Sequence, residues 1–276
     1  MGLSRKVTQS LSFFARMTTV KTQFYRVRPA PTTRRALPAN SATLRLNRLR
    51  SPSTSAVRSM TPESITQIIA QAVARESAGG QFQQALRTRA EVLHGLFRVE
   101  AEDPAAALYG FAREYVEMTP GLIHCVRICA ERAGVDALFH PFLKTATGYF
   151  AHPSVLLAGY EGLEGLLVKA YQCHRLMEEM YENNRSFRNS NLLEPEATEA
   201  NLLVHHLIGE PFANELDQAI LITVRQIVGS GDYYDLDLAP FVAQASDEAW
   251  QWMHEYWTNL LARNGIHFRF SFRSAL

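Results

Sequence analysis

The chain has 276 residues and a formal net charge of +1, but its charges are divided unevenly. The first 62 residues contain 12 Lys and Arg residues and no acid, which leaves 16 basic and 27 acidic residues, a net charge of −11, in the remainder. An acidic main domain is not typical of an enzyme that follows nucleic-acid phosphates. Hydrophobic residues make up 47% of the chain. The chain contains no run of eighteen apolar residues, so no membrane span is predicted.

Residues 1–59 have the composition of a disordered leader, because Ser, Thr, Arg and Pro cannot bury enough apolar surface to offset chain entropy. Three interpretations are open: dispensable upstream sequence with a natural start at Met60, an organellar transit peptide, or a basic arm that binds nucleic acid or an anionic surface. The first is favoured because Thr61 suits an N-cap, Pro62 the first helical position and Glu63 the first turn.

Residues 60–276 form the second predicted domain, which is long enough for one sizeable core. The chain has three cysteines, and an odd number does not predict a disulfide framework, so a reducing compartment is expected. The expected location is the cytoplasm. An organelle matrix is the alternative if residues 1–59 are a transit peptide.

Helical periodicity runs through almost all of this domain. The predicted helices, in chain order, cover residues 65–79; 86–97; 103 to a stop near Thr119, Pro120 and Gly121; 123–134; about 135–150; 152–180, with a kink around Gly159, Gly162 and Gly165; 196–208; 211–228; and 246–264. The fold class predicted from this pattern is all-α, a compact bundle of about eight helices.

Three segments do not follow the helical period. Residues 183–191 and 229–240 are predicted to be a polar connector and a loop. The tail, residues 267–273, alternates phenylalanine with arginine and serine. This is the period of a strand, so the tail is predicted to be a short edge strand or an extended segment against the bundle.

The last helix carries an apolar stripe of Trp250, Met253 and Trp257, whose spacing of three and four places them on one face. We expect this stripe to be core, and Trp252 falls off it. Cys125 and Cys129 share another helix face and could bind zinc, but a cysteine pair on an apolar stretch is more typical of core packing.

No complete catalytic motif is present. The Gly159–Gly165 glycines follow no predicted strand, so they do not predict a phosphate loop, and the chain lacks a Gly-x-Ser-x-Gly elbow and a His-Glu-x-x-His zinc helix. Glu91 and His94 form the one Glu-x-x-His pair of the kind used in di-iron bundles, which need a second pair that the sequence does not supply.

Histidines and carboxylates nevertheless share helix faces, as His174 and Glu178 do at a spacing of four. If the protein binds iron or another divalent metal, the expected ligands are Glu164, His174, Glu178, His205 and His206. The alternative is that these side chains form ordinary polar pairs on helices. His205 and His206 precede a predicted helix break at residues 209–211. Gly, Glu and Pro at these positions are typical of a turn, so the break does not require a bound ligand.

The leading functional hypothesis is a non-enzymatic helical domain that binds a partner protein or a small apolar ligand between its helices. The partner could be a second copy of the chain. The alternative is a metal-dependent, di-iron-like oxidase or hydroxylase with a His and Glu site on two facing helices, around His174 and His206. Nucleic acid is expected only through the basic leader, residues 1–59.

Overall fold

The computed structural model describes residues 60–93, 97–151, 157, 160–190, 192–193, 195–229, 232–245 and 248–268. Helices account for 82% of this part of the chain, and eight of its eleven helices have seven or more residues, which confirms the all-α prediction. None of these helices is long and apolar enough to cross a membrane. The predictions for residues 1–59, for His94 and for residues 269–273 fall outside the described ranges.

The elements follow one another along the chain as helices with two short strands. They are α1 (Pro62–Gly79), α2 (Gln81–Val92), β1 (Phe97–Val99), α3 (Pro104–Arg132), α4 (Asp136–Ala151), α5 (Gly162–Glu182), α6 (Arg185–Arg188), α7 (Pro195–Ile208), α8 (Phe212–Val228), α9 (Asp232–Asp235), α10 (Ala239–Gln244), α11 (Glu248–Arg263) and β2 (Ile266–Phe268).

Helix α1 begins and ends at the residues that the sequence predicts. The Thr61 hydroxyl accepts a hydrogen bond from the Ser64 amide at 3.3 Å, and Pro62 occupies the first turn. Gly80 ends the helix with φ +63°, a conformation that glycine adopts without the steric cost of a side chain. Ile65 and Ile69 are buried on the side that faces the bundle.

Helix α3 begins at the predicted cap but does not stop at Pro120. The Asp103 carboxylate accepts hydrogen bonds from the Ala105 and Ala106 amides, and the helix then continues for 29 residues. The predicted break near residues 119–121 is therefore wrong. A proline inside a helix costs roughly 3 kcal/mol, whereas burying one large apolar side chain contributes about 1.5–3 kcal/mol. Many α3 side chains on both sides of Pro120 are buried, so their packing outweighs the local stop signal.

The end of the second predicted helix is also wrong, because Phe97 lies in strand β1 and not on a helix. Strand β1 pairs antiparallel with β2, with Phe97 opposite Phe268 and Val99 opposite Ile266. The Phe97 ring packs edge-on against Phe268 at 5.1 Å. The strand predicted for the tail is thus confirmed at His267 and Phe268, and it begins one residue earlier, at Ile266. Its partner lies more than 160 residues earlier in the chain, a pairing that local periodicity cannot reveal.

The two predicted connectors contain single helical turns that contact each other. The Asn184 side chain accepts hydrogen bonds from the Ser186 and Phe187 amides at the start of α6. Its amide nitrogen donates to the carbonyl oxygens of Tyr233, at 2.7 Å, and Leu236, at 3.1 Å. One buried asparagine therefore caps α6 and joins it to the segment around α9.

Helix α5 packs against α1, α3, α4, α7 and α8, so it is surrounded by other helices. It begins at Gly162, later than the predicted opening at His152, which lies outside the described residues. Sixteen of its 21 residues are buried. The polar side chains that α5 carries must therefore find their hydrogen-bond partners inside the protein.

Helix α11 packs against α3 and α7 through the predicted apolar stripe. Trp250, Met253 and Trp257 are at most 3% exposed, which confirms that the stripe is core. Trp252 lies off the stripe and is 50% exposed. A Cβ atom at Gly121 of α3 would lie 2.9 Å from the Trp252 ring, so the glycine allows this indole to rest against α3.

Replacing Trp257 by alanine should lower the free energy of unfolding by about 3–5 kcal/mol, because the indole fills space beside Trp250 and His174. Urea denaturation measures the change. Trp252→Ala is the matched control on the same helix, and we expect it to cost less than about 1 kcal/mol because half of that side chain already meets solvent. Equal effects of the two substitutions would contradict the assignment of the stripe to the core.

Candidate functional site

The densest polar cluster in the described part of the chain lies on α5 and faces α7 and α8. Arg175, Glu178 and Glu179 are buried on α5, His205 is buried on α7, and Asp217 is buried on α8. Five polar residues in the interior of a helical bundle are unusual, because each must replace the hydrogen bonds that water would supply. The hydrogen-bond partners of these side chains therefore determine the chemistry of the cluster.

Arg175 connects three carboxylates. Its Nε donates to Asp217 Oδ1 at 3.2 Å, and one Nη donates to Glu179 Oε1 at 2.6 Å. The other Nη donates to Glu178. Burial alone would lower the pKa of the guanidinium, but the three carboxylates together raise it well above its usual value. Arg175 is therefore charged, and its planar guanidinium donates to three acceptors in fixed directions.

Glu178 extends the cluster to α7 and α3. Its Oε1 accepts from the Thr198 hydroxyl at 2.9 Å, and its Oε2 accepts from the Asn201 amide at 2.8 Å. The Asn201 carbonyl in turn accepts from the Tyr115 hydroxyl at 2.7 Å. Both oxygens of a buried carboxylate are thus satisfied by side chains of α7, which is the condition for keeping the charge in the interior.

Asp217, Tyr171 and His205 form the other end of the cluster. The Tyr171 hydroxyl donates to Asp217 Oδ1 at 2.7 Å, and His205 Nδ1 lies 3.2 Å from Asp217 Oδ2. Burial would raise the pKa of the Asp217 carboxyl, but the hydrogen bonds from His205 and Tyr171 and the charge of Arg175 hold it well below its usual range. On the other side of the ring, His205 Nε2 lies 3.8 Å from a carboxylate oxygen of the exposed Glu210.

His174 has different surroundings although it neighbours Arg175 in sequence. Its Nε2 lies 3.2 Å from the Thr119 hydroxyl, and its ring stacks on Tyr115 with centroids 4.2 Å apart. Burial lowers the pKa of the imidazole to about 3, against a smaller opposite effect of Glu178. At neutral pH His174 is therefore an uncharged ring packed among aromatic side chains.

The structure brings only part of the predicted metal set together. Glu178 and His205 belong to the cluster with protein partners of their own, and His174 lies beside Thr119. Glu164 forms an ion pair with Arg89 of α2, and His206 is half-buried with its ring 6.4 Å from Phe97. Among the described residues, no group of three or more His, Cys, Asp or Glu side chains could hold a metal ion, so a metal site is not confirmed.

The three cysteines lie in the interior. Cys125, Cys129 and Cys173 are buried, as the apolar stretch around the first two predicts. Burial raises the pKa of the Cys125 and Cys173 thiols, which keeps them protonated at neutral pH. The Cys173 thiol donates to the Ala146 carbonyl at 3.2 Å and so fastens α5 to α4.

Sequence reasoning missed Arg175, Thr198 and Tyr171, although it singled out Glu178 and His205. One signal was available: an arginine followed by glutamates at positions three and four, in a helix whose other positions are mostly apolar. On an exposed helix, the same three residues would form ordinary surface ion pairs. Only the structure shows that they are buried, because α7 and α8 cover them.

A second candidate site lies on the surface between α3 and α11. Trp252 and Tyr256 lie one turn apart on α11, with ring centroids separated by 5.5 Å. The Arg263 guanidinium lies 4.5 Å from the centroid of the Tyr256 ring and donates to the Glu114 carboxylate at 2.7 Å. Burial and the Glu114 charge raise the pKa of Tyr256 to about 12. We call Trp252 and Tyr256 the α11 aromatic surface.

Comparisons with protein-family models, with curated proteins and with solved structures give no match. Function is therefore inferred from the geometry of these two candidate sites.

Replacing Arg175 by methionine should lower the free energy of unfolding by about 3–5 kcal/mol, because three buried carboxylates would lose their shared cation. Arg127→Met is the matched control, since Arg127 forms an exposed pair with Glu131 of the same helix and should contribute less than about 1 kcal/mol. Urea denaturation of both variants measures the difference. If Arg175→Met were no more destabilising than Arg127→Met, the cluster would not depend on its arginine.

The neutral state of His174 gives the protein a pH dependence. The folded protein keeps this imidazole unprotonated down to a pKa of about 3, whereas an unfolded chain binds the proton near a pKa of about 6.5. Unfolding therefore takes up a proton below about pH 6.5, and the free energy of unfolding falls as the pH is lowered from there.

His174→Gln should make the free energy of unfolding less dependent on pH between about pH 7 and 5, because the variant has no imidazole to protonate on unfolding. Urea denaturation at the two ends of this range measures the slope. His124→Gln removes an exposed histidine and serves as the control. An unchanged slope in His174→Gln would show that the buried ring does not determine the pH dependence.

Proposed function

We propose that the helical domain is a protein-interaction module that binds a partner through the α11 aromatic surface. The observation that carries the proposal is Trp252, a tryptophan with half of its surface exposed. Tryptophan and tyrosine contribute disproportionately to binding at protein interfaces, because they bury large areas with few rotatable bonds. A side chain of this kind on an acidic, charged exterior is a natural anchor for a partner.

The α11 aromatic surface is also held in place before any partner arrives. Trp252 rests against Gly121, where a side chain would collide with the indole. The Tyr256 hydroxyl donates to the Glu114 carbonyl at 3.5 Å, and its ring is covered by Arg263. Because these side chains are already ordered, binding would cost little of their conformational entropy.

A small apolar ligand between the helices is the other form of the binding hypothesis. Where α5 meets α7 and α8, the interior contains Arg175 and its three carboxylates in mutual hydrogen bonds. An apolar ligand inserted there would separate charged groups from their partners at a large cost in free energy. The outer surface is therefore the better location for binding, and the buried cluster serves the fold.

Capture experiments with purified protein test the proposal. The wild-type chain should retain one or more proteins from a cell extract, and Trp252→Ala should not retain them. Ile222→Ala, a matched change at an exposed residue of α8, should retain the same proteins as the wild type. Once such a protein is identified and purified, Trp252→Ala should weaken its binding by at least about thirtyfold, the effect of a central interface residue. Retention of the same proteins at the same affinity by Trp252→Ala would contradict the proposal.

A metal-dependent oxidase or hydroxylase is a second candidate, favoured by one observation. His205 presents Nδ1 to Asp217 and turns Nε2 towards Glu210, the orientation that a carboxylate gives to metal-binding histidines. Metal analysis of protein purified without chelator or nickel tests it. Stoichiometric iron, manganese or zinc that is lost in His205→Ala would support the enzyme, and metal-free folded protein would remove this candidate.

A further inference from the structure

We infer that the partner of the α11 aromatic surface presents a basic segment, and that an arginine of that segment stacks on the exposed face of Trp252. This inference rests on the proposed function and specifies the chemistry of the partner. Three features of the protein support it: the charge of the domain, the carboxylates beside the aromatic rings and the way one guanidinium already lies on this surface.

The charge of the domain favours a basic partner. Residues 63–276 carry a net charge of −11, so the field around the domain attracts cationic segments and repels acidic ones. The same field opposes the association of two identical domains, because each would bring its own excess of carboxylates. A second copy of this acidic domain is therefore a poorer occupant of the surface than a basic segment.

The carboxylates lie on the part of α3 that runs beside α11. The two helices are antiparallel here, since Glu114 contacts Arg263 near the end of α11 whereas Gly121 contacts Trp252 near its start. Glu117 lies one turn from each of these α3 positions, and its charge contributes to the raised pKa of Tyr256. A carboxylate thus flanks the aromatic pair from the neighbouring helix.

Glu117 is accessible to an incoming cation. Its Oε1 accepts from Arg113 at 2.9 Å in an exposed pair on the same helix. Such a pair contributes only tenths of a kcal/mol, so a partner guanidinium can share or replace it at little cost. The Glu117 carboxylate and the Trp252 ring can then contact the same cation.

Arg263 shows how a guanidinium lies on this surface. Its Cζ atom lies 4.5 Å from the centroid of the Tyr256 ring while the group is paired with Glu114. In the part of the chain that the structure describes, Tyr256 is the ring with a cation placed over it, and the larger Trp252 ring one turn away is half exposed. Tryptophan binds cations best among the aromatic side chains, and arginine adds planar stacking that lysine lacks.

Titration with short peptides tests the inference on the full chain. The probe is a blocked Gly-Arg-Gly-Arg-Gly peptide, and the matched control carries citrulline, a neutral isostere, in place of both arginines. Binding is followed by the nuclear magnetic resonance signal of the Trp252 indole N–H, assigned by its absence from Trp252→Phe. The arginine peptide should shift this signal saturably and the citrulline peptide should not.

Glu117→Gln should weaken binding of the arginine peptide by about two- to fivefold, the effect expected of one exposed charge pair. Glu131→Gln, a matched change of an exposed α3 carboxylate in a pair with Arg127, should leave the affinity unchanged. Equal binding of the citrulline peptide, or no shift of the Trp252 signal with the arginine peptide, would overturn the inference.

The failure of this inference is distinguishable from that of the proposed function. If Trp252→Ala abolishes capture of a partner but the arginine peptide does not bind, the surface binds proteins by other contacts and only the inferred arginine is wrong. If sedimentation shows a wild-type dimer that Trp252→Ala dissociates, the occupant is a second copy, and the basic partner is likewise wrong. If Trp252→Ala changes neither capture nor self-association, the proposed function itself is wrong.

Discussion

The fold depends on one cation enclosed by three carboxylates. Arg175 lies on α5, the helix against which five of the other long helices pack, and it holds Glu178 and Glu179 of its own helix together with Asp217 of α8. A buried carboxylate without such a partner would cost several kcal/mol. Through Glu178 and its hydrogen bonds to Thr198 and Asn201, the same cation determines where α7 can lie. The register of three helices is thus linked to a single side chain.

This arrangement divides the molecule into an interior that specifies the fold and an exterior that is available for binding. The polar side chains of the cluster bind one another. The region where α5 meets α7 and α8 is therefore lined by charged groups and does not provide an apolar cavity for a ligand. The α11 aromatic surface differs, because Trp252 remains half exposed beside the buried stripe of Trp250, Met253 and Trp257. In the binding function that we propose, this domain presents a rigid surface to a partner.

Much of the fold could be predicted from local patterns, and the errors have physical causes. Thr61, Asp103 and the stripe of Trp250 and Trp257 are local signals, and the structure confirms them. The break predicted at Pro120 is wrong because burial on both sides of the proline outweighs its intrinsic cost. For the candidate site, Glu178 and His205 could be singled out only as possible metal ligands. Their partners come from other helices, and local sequence patterns do not reveal which helices meet.

The state of the Arg175 side chain tests the central claim most directly. Hydrogen exchange of arginine Nε–H groups, followed by nuclear magnetic resonance on the intact chain, reports whether a guanidinium is held in buried hydrogen bonds. The Arg175 Nε–H group, which donates to Asp217, should exchange only when the domain opens, far more slowly than that of the exposed Arg127. Exchange of Arg175 as rapid as that of Arg127 would mean that the guanidinium reaches water in the folded state and that the fold does not depend on an enclosed cation.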